Sequence, residues 1–126
     1  MKEKFSIKKR ILSFGYAING LKILISEEHN ARIHLVVSLI VIALGFVLDI
    51  SLSEWLFICF AIGFVIVTEV INSAIENLCD FVSPGKNEVI KKVKDLSAFA
   101  VLFSAIIAVI GGFIIFLPKI VTALGL

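Results

Sequence analysis

Glu69-Val70-Ile71-Asn72-Ser73-Ala74-Ile75-Glu76-Asn77-Leu78-Cys79-Asp80 closes an apolar run that begins at Trp55. A run of that length reads as a membrane span. Within it, Glu69, Asn72, Glu76 and Asp80 fall at offsets 0, 3, 7 and 11, which keeps them on one stripe of a helix. A carboxylate at the centre of a span costs about 2.5–3.5 kcal/mol on insertion scales, so an intramembrane carboxylate marks a functional site by default. Three carboxylates and an amide on one stripe point to chemistry rather than to packing.

The rest of the chain supports a membrane assignment. Its 126 residues suit a single domain, 1–126. Sixty per cent apolar residues and a mean hydropathy of +1.09 exceed the roughly 45–50% apolar content of soluble domains. Three spans are expected, at about 33–49, 55–79 and 96–117. The first is short and borrows length from the polar cluster Glu27, Glu28, His29, Asn30, Arg32 and His34. Ser53, Glu54 and Trp55 read as a helix start with an interfacial aromatic. Pro84 and Gly85 break the long polar connection 81–95, and Pro118 with Lys119 closes the third span. Residues 5–26, basic and studded with apolar side chains, read as an amphipathic helix on the membrane surface. No small-residue cleavage site follows a short apolar region, so no cleaved signal peptide is expected.

Lys and Arg set the orientation. Residues 1–32 hold seven, the 49–54 turn none, the 81–95 connection four and the C-terminal tail one. The positive-inside rule then puts the N-terminus and the 81–95 connection in the cytoplasm. That places Glu69 to Asp80 in the cytoplasmic half of the second span. Glu28 and Arg32 stand at the cytoplasmic end of the first span, and Lys94 and Asp95 at that of the third. Glu28 and Glu76 together suit a divalent cation that takes its other ligands from phosphate oxygens. Glu69 lies about 10 Å deeper than Glu76 at 1.5 Å per residue, at a depth suited to a lipid hydroxyl and to general-base work. Lys94 suits neutralisation of phosphate charge.

Other chemistries find no support. No glycine-rich phosphate loop and no dinucleotide fingerprint occurs. Cys59 and Cys79 stand about 30 Å apart along one helix and match no metal spacing, nor do His29 and His34. A polar stripe of this kind also suits an ion-coupled transporter or a subunit that uses polar contacts to assemble. A conduit, however, needs polar groups through both leaflets. Here Leu56 to Val67 and Val101 to Ile115 are almost wholly apolar, with Ser104 the exception in the second.

The segments Glu69-x-x-Asn72-Ser73-Ala74-Ile75-Glu76-x-x-x-Asp80, Lys94-Asp95 and Glu28-x-x-x-Arg32 resemble the small three-span prokaryotic diacylglycerol kinase and undecaprenol kinase family, over nearly the whole chain. The resemblance implies an all-α membrane homotrimer in the bacterial cell membrane, with its active sites facing the cytoplasm. ATP with Mg²⁺ would phosphorylate a membrane lipid alcohol, and no nucleic acid is involved. Carried over, Glu69 is the catalytic base and, with Arg32 and Ala98, faces the lipid. Glu28 and Glu76 hold the metal. Lys9, Arg10, Ala17, Glu28, Asn72, Glu76, Gly85, Lys86, Asn87, Lys94 and Asp95 fall at nucleotide-contacting positions, and Asp80 completes the motif. Ala17 stands where the Gram-negative branch has a serine, Lys9 aligns with an arginine of that branch, and Phe99 replaces a small residue. Arg32-Ile33-His34, Glu54-Trp55 and Ile115-Phe116-Leu117-Pro118-Lys119 are similar to the Gram-positive branch, which implies undecaprenol as acceptor rather than diacylglycerol.

Overall fold

A computed structural model describes residues 3–126 as four helices: α1 (Ile7–Glu27), α2 (His29–Val47), α3 (Leu52–Val82) and α4 (Glu88–Ala123). The last three are long and apolar enough to cross a membrane, and most of their large apolar side chains are exposed on the chain's outside. The extra helix α1 packs chiefly on α2, while α3 packs on both α2 and α4.

Short-range chemistry sets each boundary. Ser6 caps α1 by accepting from the Lys9 amide. Between α1 and α2 only Glu28 leaves the helical conformation, so the chain turns at a single residue. At the far end of α2, Asp49 takes the left-handed region (φ 51°), which a short polar side chain tolerates better than most. Its amide donates to the Phe46 carbonyl and that of Ile50 to the Gly45 carbonyl, the paired bonds that finish a helix on a left-handed residue. Gly125 (φ 71°) ends α4 the same way, with Leu126 donating to Val121.

Three boundaries differ from the sequence expectation. The cap of α3 is Ser51, not Ser53: Ser51 Oγ accepts from the Glu54 amide while Glu54 Oε1 accepts from the Ser51 amide. This reciprocal pair satisfies two otherwise orphaned donors. The 81–95 connection shrinks to 83–87, because the Asn87 side chain accepts from the amides of Val89 and Ile90 and starts α4 early. Pro118 does not end α4, which runs on to Ala123. A proline removes one helical hydrogen bond, a defect that apolar spans tolerate where neighbours support the turn. Here Ile115 and Phe116 are buried in the core and Lys119 Nζ lies 3.3 Å from Glu54 Oε1, which ties the last turns of α4 to the start of α3.

The helices are unequal in length, and this positions the site. With 31 and 36 residues, α3 and α4 extend about 46 and 54 Å at 1.5 Å per residue, against a hydrocarbon core of about 30 Å. Their shared end, around the 83–87 loop, therefore projects beyond the start of the 19-residue α2. The apolar core lies at that turn, where Ile50, Ile58, Ile115 and Phe116 pack with Val41, Leu44 and Trp55. Trp55 turns inward: its ring sits 4.8 Å from that of Phe46 and leaves no room for a side chain at Gly45, so it packs inside the bundle rather than serving only as an interface anchor.

Gly111 is equally constrained, since a Cβ there would fall within the ring of Phe57. Gly111→Ala is expected to force α3 and α4 apart and destabilise the protein by about 1–3 kcal/mol, read as a lower unfolding midpoint in detergent. Phe57→Ala in the same chain should relieve the clash; an unaltered midpoint for Gly111→Ala alone would refute the packing.

Candidate active site

The stripe foreseen on α3 divides by depth. Glu69 is the innermost member and only 2% exposed. A carboxylate so placed requires a partner, and α2 supplies one: His34 Nε2 lies 3.2 Å from Glu69 Oε1. Glu69 Oε1 has no well-aligned hydrogen bond, so the contact is one of proximity. One turn further along, the Ser73 hydroxyl is buried without a partner while its carbonyl accepts from Asn77 Nδ2.

Nearer the projecting end, α3 and α4 join through polar groups. Ser97 Oγ lies 2.7 Å from Asn72 Oδ1 and 3.0 Å from the Lys94 carbonyl. Asp80 on α3 pairs with Lys94 on α4, and Asp95 pairs with Lys91 one turn away, at 2.7 Å. Asn72 with Ser97 and Asp80 with Lys94 thus form a polar strip between α3 and α4, while Asp95 pairs within α4. Glu28, at the α1–α2 turn, and Glu76, on α3, are half-buried. Neither carboxylate has a hydrogen bond or an ion pair among the described residues.

The expected residues do not all meet. Within one chain, Lys9 pairs with Glu3 at 2.9 Å, and the Arg10 guanidinium stacks 5.6 Å over the Phe5 ring. Ala17 is exposed on α1. Arg32 donates to the Ser26 carbonyl at 2.8 Å and so braces the turn between α1 and α2. Gly85 and Lys86 are exposed in the loop, and the Asn87 side chain is committed to capping α4. Ala98 is exposed on α4, beside a Phe99 whose ring sits 5.8 Å from that of Phe103.

Sequence reasoning missed His34 as the partner of Glu69. It set both histidines aside as metal ligands without asking which group would pair with the buried carboxylate. The signal was there, because a histidine inside an apolar run also requires a partner. It missed Ser97 too, whose hydroxyl is short enough to face Asn72 across the helix pair.

Below His34, a cleft of about 540 Å³ runs between α2, α3 and α4. Val37, Val41, Ile62, Val65, Val109 and Phe113 line it, with His34 and Ser38 as its polar groups. A buried carboxylate, two unpaired ones, a lysine and an apolar cleft suit transfer of a charged group onto an amphipathic acceptor.

Comparison with known proteins agrees with this chemistry. A family profile described as prokaryotic diacylglycerol kinase matches residues 15–116. Undecaprenol kinase of Bacillus subtilis is 34% identical over 108 residues, covering 86% of this chain and 88% of that enzyme. A diacylglycerol kinase of Synechocystis is 31% identical over 113 residues, covering 89% of this chain and 65% of that enzyme. Diacylglycerol kinase of Escherichia coli K12 is 29% identical over 100 residues, covering 79% and 82%.

The Asp80–Lys94 pair is well exposed, and exposed ion pairs contribute at most about 1 kcal/mol. Asp80→Asn should therefore shift unfolding stability by less than about 1 kcal/mol. A larger loss on chemical unfolding would show that the pair holds α3 against α4.

Proposed function

We propose, since the chain belongs to the prokaryotic diacylglycerol kinase family, that it transfers the γ-phosphoryl group of ATP to undecaprenol at the cytoplasmic face of the cell membrane. Membership makes it a lipid kinase and a multi-pass membrane protein, with ATP as phosphoryl donor. The observation that carries the mechanistic reading is the buried Glu69 on α3, two helical turns from a half-buried Glu76 with no partner of its own among the described residues.

In this reading Glu69 accepts the proton of the lipid hydroxyl. The O–H bond breaks as the oxygen bonds to the γ-phosphorus, and the bridging P–O bond breaks with its electron pair leaving on ADP. Proton transfer to a positioned base contributes typically about 10²–10⁴-fold. Asn72, held by Ser97, and Lys94, on the exposed end of α4, present a donor-rich strip to the phosphates. Lys94 leaves Asp80 to do so, an exchange that costs little because the pair is solvated. Gly85 and Lys86 cover the nucleotide from the loop, and Arg32 and Ala98 border the lipid.

The donor set fits Mg²⁺. Glu28 and Glu76 are half-buried and have no hydrogen-bond or ion-pair partner among the described residues, so each carboxylate is free to take a cation. Mg²⁺ typically takes one or two carboxylates and completes its shell with phosphate oxygens and water. When bound between Glu28 and Glu76 it would supply charge neutralisation for the transferring group.

Assembly as a homotrimer completes the site. In a single chain Lys9 and Arg10 meet Glu3 and Phe5 instead of the α3–α4 strip, so their engagement with a nucleotide suits a neighbouring copy. The choice of undecaprenol rests on the Bacillus subtilis relative and on Arg32-Ile33-His34, Glu54-Trp55 and Ile115 to Lys119, which resemble that branch.

The test is transfer of labelled phosphate from ATP in mixed micelles, with undecaprenol and diacylglycerol offered separately and in competition. Preferential labelling of undecaprenol is expected; preferential labelling of diacylglycerol would refute the acceptor, and labelling of neither would refute the kinase reading. In the same assay Glu69→Gln should lower turnover by at least about 10²-fold while nucleotide binding persists. Near-normal turnover would remove Glu69 as base. Glu76→Gln should raise the Mg²⁺ concentration needed for half-maximal activity, and an unchanged metal response would remove Glu76 as ligand.

A further inference from the structure

Glu69 does not line the apolar cleft, and its side chain is 2% exposed. His34 does line the cleft, and its side chain is 25% exposed. The imidazole therefore stands between the carboxylate and the cleft, with Nε2 on Glu69 Oε1. We propose that His34 is a positioning residue for Glu69: through an N–H on Nε2 it holds the buried carboxylate at Oε1 and leaves Oε2 to take the proton. The chemistry, though not the pairing, rests on the lipid-kinase reading above.

The geometry explains why such a residue is needed. A carboxylate in an apolar bundle has few restraints beyond packing, and no other polar side chain lies within hydrogen-bonding reach of Glu69 among the described residues. Anchoring Oε1 fixes the carboxylate plane and so the direction in which Oε2 accepts. On the same turn of α2 the Ser38 hydroxyl donates to the His34 carbonyl at 2.6 Å, which leaves the imidazole free to meet Glu69.

As the lipid oxygen bonds to phosphorus and ADP leaves with the electron pair, the hydroxyl proton passes to Oε2 of Glu69, while Oε1 keeps its contact with Nε2 of His34.

Two measurements on the full-length protein in micelles decide the matter. The chain has two histidines, so the ring ¹⁵N spectrum of His34→Gln assigns the His34 signals by their loss. Glu69→Gln should move those ring signals; if they stay in place the two side chains are not paired and the proposal falls. In steady-state kinetics His34→Leu should lower kcat by about 10²-fold with an unchanged KM for ATP, and His34→Gln, which keeps an N–H donor, should recover part of the loss. An unchanged kcat in His34→Leu, or equal losses in Leu and Gln, would overturn the positioning role. Should the leucine variant fail to fold, the glutamine variant and the Glu69→Gln spectrum still decide. If the unaltered protein phosphorylates no lipid, the functional reading fails while the spectra still decide the pairing.

Discussion

A carboxylate cannot sit unpaired inside an apolar bundle, and much of this molecule is arranged to hold one there. Glu69 occupies the interior of α3 at 2% exposure, and His34 of α2 meets it. Removing His34 would leave the Glu69 carboxylate buried without compensation, a situation that costs several kcal/mol in apolar surroundings. The pair thus favours the arrangement in which these faces of α2 and α3 meet. It sets the position from which the polar strip of α3 and α4 runs outward, through Asn72 and Ser97 to Asp80 and Lys94.

From that depth outward the packing changes character. At the 48–51 turn the bundle is closed by apolar contacts: Ile50, Ile58, Ile115 and Phe116 bury together, Trp55 fills the space over Gly45 and Phe57 that over Gly111. The capping pair of Ser51 and Glu54 and the Lys119–Glu54 contact finish that end. At the other end α3 and α4 touch through side-chain hydrogen bonds and an exposed ion pair, each worth about 1 kcal/mol or less. One end is closed by apolar packing, and the other is joined by solvated polar contacts that cost little to exchange.

The division was partly legible in the sequence. Hydropathy alone located three spans, because twenty or so apolar residues have few other uses. The offsets of Glu69, Asn72, Glu76 and Asp80 placed them on one stripe, because helical periodicity is local. The helix ends were less legible. Ser51 and Ser53 are equally good caps by type, and only the reach of Glu54 back to Ser51 decides between them. Asn87 reads as a loop residue until its side chain is seen accepting two amides, and Pro118 reads as a terminator until the packing around Ile115 and Phe116 is known. His34 was invisible for a different reason. Pairing across helices depends on relative rotation and depth, which no single helix's periodicity encodes.

The one-sidedness of the polar groups bears on which chemistry such a fold can run. Beyond Glu69 toward the 48–51 turn, the interior polar contact between spans is Thr68 Oγ1 with Ser104 Oγ, 2.9 Å apart, and each hydroxyl also lies 2.8 Å from a carbonyl of its own helix. Hydroxyls so engaged satisfy each other and offer no relay to the far side. Interior polarity thus falls away beyond Glu69, where apolar packing takes over. A polar interior on one side only of a buried carboxylate is poor ground for an ion in transit, and it better suits a reaction that meets charge at one end of the bundle and hydrocarbon along the rest.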